Sequence, residues 1–263
     1  MSAESELVSV VIPSYNAENL ISKTIESVLN QTYDNWEIIV VDDCSSDKTR
    51  NVVQNFVDSN SNIRMISLAK NFGGPAGPRN EGVKQANGRW IAFLDSDDIW
   101  HPQKLEMQFK VIDKTQADFC CSQMIDFKSD NELFYRKETD CIWESVSFLQ
   151  QSIRARIPTS SVLVSRSLLL EHPFVDRLSY KAVEDYHCWL RLLQATDKCI
   201  KLRLPLLFYR RSEEQISASK LYMMGRVFMV HRDFSDRGIV RACLFTLTHV
   251  MGGLYFRFFK KGM

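Results

Sequence analysis

The chain has 263 residues, 45% of them hydrophobic and 25% charged, with 10 Gly and 7 Pro, a globular composition that excludes disordered and collagenous chains; no internal repeat is visible either. The net charge of +1 hides an asymmetry, because residues 201–263 hold 12 Lys and Arg against 4 Asp and Glu while the first 200 hold 21 against 28. The acidic body does not suit a nucleic-acid binder, and the basic, apolar tail suits an anionic membrane surface.

Val8–Ile12 (VSVVI) is a β-branched run, with Ser9 inside it, that reads as a strand buried on both faces and ended by Pro13. Leu20–Leu29 spaces its apolar residues as a helix. Trp36–Val41 reads as a second strand and Asp47–Val57 as a second helix. Ile63–Leu68 is a third, shorter strand. Pro78–Ala86 reads as a helix with Pro at its first position, ending before Asn87-Gly88. Trp90–Leu94 is a fourth strand that runs into Asp95, and Pro102–Ile112 is helical. This alternation predicts an α/β fold with a mostly parallel sheet, whose ligands bind beyond the carboxyl ends of the strands. Beyond residue 115 the pattern loosens. Phe119–Phe127 reads as a strand, Glu144–Ile153 as a helix and Ser160–Val164 as a short strand with a helical start after it. Glu184–Leu193 reads as a helix and Ile200–Tyr209 as a late strand. No Gly/Ser linker parts the halves, so the second should extend the sheet of the first.

The cysteines are Cys44, Cys120, Cys121, Cys141, Cys188, Cys199 and Cys243. Their odd number and the lack of a CxxC pair argue against a disulfide framework or a zinc site and fit a reducing cytoplasm. The opening MSAESE has no signal-peptide pattern, and the longest uncharged run, Ala242 to Phe256, falls short of the roughly 20 residues that span a bilayer.

Polar groups gather after the strands. Asp95-Ser96-Asp97-Asp98 packs three carboxylates into one turn, where they repel unless a cation joins them; hard ions such as Mg²⁺ and Mn²⁺ take such ligands together with substrate phosphates. Asp95 and Asp97 suit that role, and Asp98 suits the N-cap of the helix near Pro102. Asp42-Asp43 is either turn chemistry or a carboxylate that accepts the N–H of a base such as uracil, and Asp47 reads as a cap. Asn71 to Asn80 holds Gly73, Gly74 and Gly77, which either form a tight surface loop or permit close backbone approach to a ligand, and Arg79, a cation suited to phosphate. No GxGxxG follows the first strand, which disfavours a dinucleotide dehydrogenase. Glu184-Asp185 opens a helix, as capping acids do; neighbours there point about 100° apart, so only one can face a cleft. His187 reads as a packed bystander. Tyr209-Arg210-Arg211 to Gln215-Ile216-Ser217 either closes over a diphosphate or is a solvated loop. In Gly238–Lys261, Phe245, Val250, Leu254, Phe256, Phe258 and Phe259 interleave with Arg257, Lys260 and Lys261. That reads as an amphipathic segment for the membrane interface, or as a helix packed on the body or a second copy.

Taken together, VSVVIPSYNAENLISKTIESVLNQTYDNWEIIVVDDCSSDKT and GPRNEGVKQANGRWIAFLDSDD, with looser matches at PTSSVLVSR, Glu184-Asp185 and YRRSEEQIS, resemble the inverting nucleotide-sugar glycosyltransferases of the GT-A fold, in the family numbered 2. The resemblance implies a Rossmann-like nucleotide-sugar half over residues 1–115, an acceptor and base half over 116–217, and a C-terminal helical tail over 218–263. Pro13, Tyr15 and Asp43 would hold the nucleoside, with Asp42 and Ser96 beside the nucleotide sugar. Arg79 would face the nucleotide side. Asp95 would touch ribose and join Asp97 on a Mn²⁺ or Mg²⁺ that carries the diphosphate. Asp185 would be the general base and Glu184 its support. A leaving nucleoside diphosphate stabilised by a cation needs no general acid, so one base suffices to activate the acceptor hydroxyl. The resemblance further implies a UDP-sugar donor and a polyprenyl-diphosphate-linked sugar acceptor at the inner face of the plasma membrane, during O-antigen or capsule synthesis. A homodimer is a further expected partner, and the alternatives are transfer to a polyprenyl monophosphate and a non-catalytic nucleotide-sugar-binding subunit.

Overall fold

Strands with apolar side chains on both faces build the centre of the molecule. The computed structural model describes residues 6–211, 220–234 and 238–259. β1 (Val8–Ser14), α1 (Ile21–Leu29), β2 (Trp36–Asp42), α2 (Thr49–Ser59), β3 (Ile63–Ser67), α3 (Ala76–Gln85) and β4 (Trp90–Phe93) follow the expected alternation. The four strands pair in parallel in the order β3-β2-β1-β4. Successive side chains leave a strand on opposite faces, so such runs need cover on both. Val10, Ile38, Val40 and Ala92 enter a cluster under α1, α2 and α4 (Lys104–Thr115). Val11, Ile39, Val41 and Phe93 enter the opposite one, under α3 and later helices.

The second half extends the same sheet. After β5 (Ile99–Trp100) and α4 come β6 (Phe119–Phe127), β7 (Trp143–Ser145), α5 (Phe148–Ile153), β8 (Leu163–Ser165), α6 (Arg166–Glu171), α7 (Glu184–Ala195) and β9 (Cys199–Arg210). β8 lies antiparallel between β4 and β6, β9 runs parallel to β6, and β5 and β7 pair antiparallel with β9. Trp189 and Leu192 of α7 and Leu169 of α6 complete the cover on the α3 face. α8 (Lys220–Asp233) and α9 (Gly238–Phe259) stack on α7: Val227, Val230 and Phe234 pack against Tyr186 and Leu190. Among the described residues no helix is long and apolar enough to cross a membrane. Gln215, Ile216, Ser217, Lys260, Lys261 and the side chains from residue 253 onward lie outside the described residues.

Three expectations change. Pro13 does not end β1, which continues to Ser14 opposite Asp42. The ladder to β4 stops at Val11–Phe93, so the side that Pro13 cannot donate to has no partner strand. The third helix begins at Ala76, leaving Pro78 inside its first turn, where a backbone N–H has no helical partner anyway. Glu144–Ile153 is not one helix: Trp143–Ser145 pairs with β9, and α5 starts only after Ser147, whose side chain and that of Gln150 form a reciprocal capping box.

Candidate active site

The ends of β1, β2 and β4 place their polar residues on one edge. Tyr15 follows β1 and is 55% exposed, whereas Pro13 is buried within the strand. Asn16, with φ of 49°, accepts the Ser46 N–H at 2.8 Å and so ties the β1 loop to the β2 loop. Asp42 is fully buried; its Oδ2 accepts from Arg50 Nε at 2.6 Å and from the Ser45 N–H at 3.2 Å, while Oδ1 has no partner. The Asp43 N–H donates to Ser14 O at 2.8 Å, and its Oδ1 accepts the Phe72 N–H at 2.9 Å. Burial pushes the Asp43 carboxyl upward against that hydrogen bond. Asp47 accepts from both the N–H and the hydroxyl of Thr49 and steadies the start of α2.

The glycine-rich loop connects this edge to α3. Gly73 adopts φ of 75°, a left-handed conformation that glycine allows, and its N–H donates to Asn71 Oδ1. A Cβ at Gly77 would stand 2.1 Å from the Phe72 ring, so the loop closes on the helix only with glycine there. The loop, Arg177, Lys181 and Glu184 border a shallow cleft at the N-terminus of α3.

Arg79 leaves the first turn of α3 and is 3% exposed. Its Nη2 lies 2.7 Å from Asp95 Oδ1 and its Nη1 3.4 Å from Glu184 Oε1, and its guanidinium faces the Phe174 ring at 5.4 Å. Burial works against its charge, but Asp95, Glu184 and Asp185 outweigh it and hold the group protonated. The cation expected on the nucleotide side is thus a bridge between the two halves.

The Asp95 N–H donates to Ser160 Oγ at 3.1 Å, and the Thr24 hydroxyl donates to Ser96 O and Asp98 O, each at 2.9 Å. Asp97 is pushed up to about 6 by burial and by Asp95. Asp98 is not the expected cap: β5 separates it from α4, and its Oδ1 accepts the Arg210 N–H at 3.0 Å. Burial, then Asp97 and Asp95, push it well above the carboxylate range. The Arg210 side chain donates to Asp97 O and pairs with Asp130, while Arg211 pairs with Asp126, so both arginines already carry carboxylate or carbonyl partners.

On α7 the two acids part as helical geometry demands. Glu184 turns inward to Arg79; burial and then Asp185 push it up to about 7, Arg79 opposing, and its Oε2 has no partner. Asp185 is half-buried, with Oδ2 accepting from Thr159 Oγ1 at 2.8 Å and Oδ1 from the Tyr186 N–H at 2.6 Å. Trp189 Nε1 donates to Thr159 Oγ1 at 3.3 Å, which leaves that hydroxyl's proton for Asp185. His187 is buried beyond the cleft, stacked on Tyr180 and 2.8 Å from Asp233.

Sequence reasoning missed Thr159, Ser160, Thr24, Arg177, Lys181 and Lys104. Lys104 is wholly buried, 4.0 Å above the Trp100 ring and 2.7 Å from Gln108 Oε1, and burial pushes it down to about 7. Trp100 and Gln108 in turn donate to Ser160 O and Ser161 O, fixing the turn that supports Asp95. The available signal was polarity on otherwise apolar faces, at Thr24 of α1 and Lys104 of α4.

No three His, Cys, Asp or Glu groups form a metal cage among the described residues. Asp95 and Asp97 nonetheless fit a divalent ion of the kind that takes one or two carboxylates and completes its shell with phosphate and water, and their mutual repulsion is what such an ion relieves.

These acids at strand ends, joined through one arginine to an acid-bearing helix of the other half, stand in a glycosyltransferase of the GT-A fold. The chain is a member of glycosyl transferase family 2, whose model matches residues 9–172. It is 36% identical over 251 residues to the UDP-Glc:alpha-D-GlcNAc-diphosphoundecaprenol beta-1,3-glucosyltransferase WfgD of Escherichia coli, with 94% of each chain covered. WfaP, of the same description and organism, is 33% identical over 91% of this chain and 92% of that one. TarS 1-349 of S. aureus, solved in complex with UDP-GlcNAc, shares the fold with a TM-score of 0.72 at 21% identity, over 95% of this chain and 73% of that one.

Proposed function

We propose that this glycosyltransferase moves a hexose, glucose or galactose, from its UDP-sugar in β linkage onto an N-acetylhexosamine carried by a polyprenyl diphosphate, at the inner face of the plasma membrane, during O-antigen or capsule repeat-unit synthesis. The observation that carries the reading is the Arg79 bridge, which sets the nucleotide edge at Asp95 and the base helix at Glu184 against one guanidinium. The names of the two E. coli relatives support the donor and the lipid-linked acceptor.

In this reading Tyr15 and Asp43 bind the nucleoside, with Pro13 and Asp42 shaping the loops beneath it, and Asp95 and Ser96 lie along the ribose and diphosphate. Asp97 and Asp95 would hold Mn²⁺ or Mg²⁺, which when bound supplies positive charge for the departing diphosphate. Asp185, oriented by Thr159, takes the proton of the acceptor hydroxyl as that oxygen attacks the anomeric carbon. The new C–O bond forms opposite the breaking bond, so the configuration inverts and UDP leaves with the electron pair. Arg79 keeps Glu184 turned away from Asp185's proton path. Two hydrogen bonds aimed at Asp185 favour a hydroxyl acceptor over a monophosphate, which needs no base.

The test is UDP release from a panel of UDP-sugars with Mn²⁺ or EDTA and a synthetic lipid-diphosphate N-acetylhexosamine. Acceptor-stimulated release from UDP-glucose or UDP-galactose, lost in EDTA, is expected. UDP binding without release from any donor would overturn the reading in favour of a binding subunit.

A further inference from the structure

The surface of α9 is apolar where a helix on a globular body is ordinarily polar. Val240, Leu244, Leu247 and Met251 recur at helical spacing along one face, and all are exposed, Val240 by 82%. Ile239 adds to the stripe at 62%. The opposite face carries Ala242 and Thr246, both buried, and packs towards α7 and α8: the His249 ring lies 4.7 Å from Tyr186, and Phe245 stacks on His231 at 5.5 Å. Exposed Leu149 and Ile153 of α5 widen the patch, since α5 packs beside α9 and a side chain at Gly252 would meet the Arg154 stem. Exposed apolar residues that line up along one face of α9, with more on the helix packed beside it, mark a docking surface, because water-facing leucines scattered singly would not line up.

We propose that this α9–α5 face seats the protein in the interface of an anionic bilayer, with α9 lying in the membrane plane. Two observations choose lipid over a second copy of the chain. Residues 238–263 contain Arg241, Arg257, Lys260 and Lys261 and no Asp or Glu, a charge pattern that anionic headgroups attract and an identical surface repels. The second is reach. Tyr186, which α9 covers, directly follows Asp185 on α7, so the docking face and the base stand about one helix diameter of ~10 Å apart. An acceptor sugar joined to its lipid through a diphosphate cannot rise far from the membrane, and this layer thickness matches it. The choice of lipid rests in this part on the acceptor proposed above; the surface itself does not.

The experiment is flotation of the full chain with vesicles of phosphatidylglycerol and phosphatidylethanolamine, and with phosphatidylcholine alone, without any donor. Leu244→Gln/Leu247→Gln and, separately, Leu149→Gln are compared with wild type after circular dichroism has matched their folds. The double variant is expected to lose about tenfold or more of its binding to anionic vesicles, Leu149→Gln less, with UDP release to a water-soluble short-chain acceptor unchanged. Equal flotation of wild type and double variant overturns the proposal. So does a wild-type dimer, seen by light scattering, that the double variant dissolves while vesicle binding stays the same. Because flotation needs no turnover, failure of the transfer reaction and failure of the docking surface are read separately.

Discussion

The edge proposed to hold the nucleotide and the edge proposed to carry the base are built in different ways. The first stands on the ends of parallel strands, with the Asp43 N–H on Ser14 O, and side chains one loop away close it, as where Asp43 Oδ1 takes the Phe72 N–H and Asn16 Oδ1 the Ser46 N–H. The base edge stands on side chains brought from separate segments: Thr159 sets Asp185, Trp189 sets Thr159, and Arg79 sets Glu184. A platform fixed by its sheet suits the part of the proposed reaction that is common to many enzymes, the nucleoside diphosphate. A constellation fixed by side chains is the easier one to alter.

That contrast can be broken from either side. Asp97→Ala is expected to abolish UDP release by removing the carboxylate assigned to the cation; full activity in this variant would remove Asp97 from the site. Asp185→Asn is expected to cut kcat by roughly 10²–10⁴-fold while UDP affinity stays at the wild-type level, and wild-type turnover would move the base elsewhere. A smaller effect is expected from Thr159→Val, which keeps the shape and deletes one hydrogen bond to a charged group: kcat falls about tenfold, with nucleotide affinity again unmoved. Loss of UDP affinity together with kcat would show that the two edges are not separable.

The smallest effect lies in the support beneath both. An unfolded lysine keeps its proton up to its ordinary value of 10.5, whereas buried Lys104 releases it near 7. Between those limits the unfolded chain binds more protons, so this group makes stability rise with pH from about 7 to about 10. Lys104→Met should flatten that rise in denaturant melts taken across the window. A difference between variant and wild type that does not change with pH would mean that Lys104 stays charged when folded.

The parallel half was legible because its evidence is local. A both-face apolar run announces a buried strand, and the acids that follow it lie within the same few residues, as at Val40–Asp43 and Phe93–Asp97. Boundaries drifted where hydrogen bonding outvoted composition: β7 exists because β9 offers it a partner, and Asp98 is drawn from a capping role by the Arg210 backbone. The Arg79–Glu184 contact spans 105 positions, and no spacing rule connects groups so far apart. Thr159 and Ser160 carry no charge, so PTSSVLVSR reads only as the start of a short strand and a loose family match, and nothing in it sets two hydroxyls between Asp95 and Asp185. The split between Glu184 and Asp185 was foreseeable from the helical angle, but which acid turns inward depends on the arginine that waits there.

Arg79 also limits how this enzyme can be recombined. A buried cation that loses a partner costs far more than a surface one, so the two halves cannot be exchanged freely among relatives as interchangeable parts. A chimera that takes its acceptor half from another enzyme inherits that enzyme's group opposite Arg79. Only crossovers that keep an acid at position 184 preserve the weld between the halves, and acceptor preference can be grafted only along those lines.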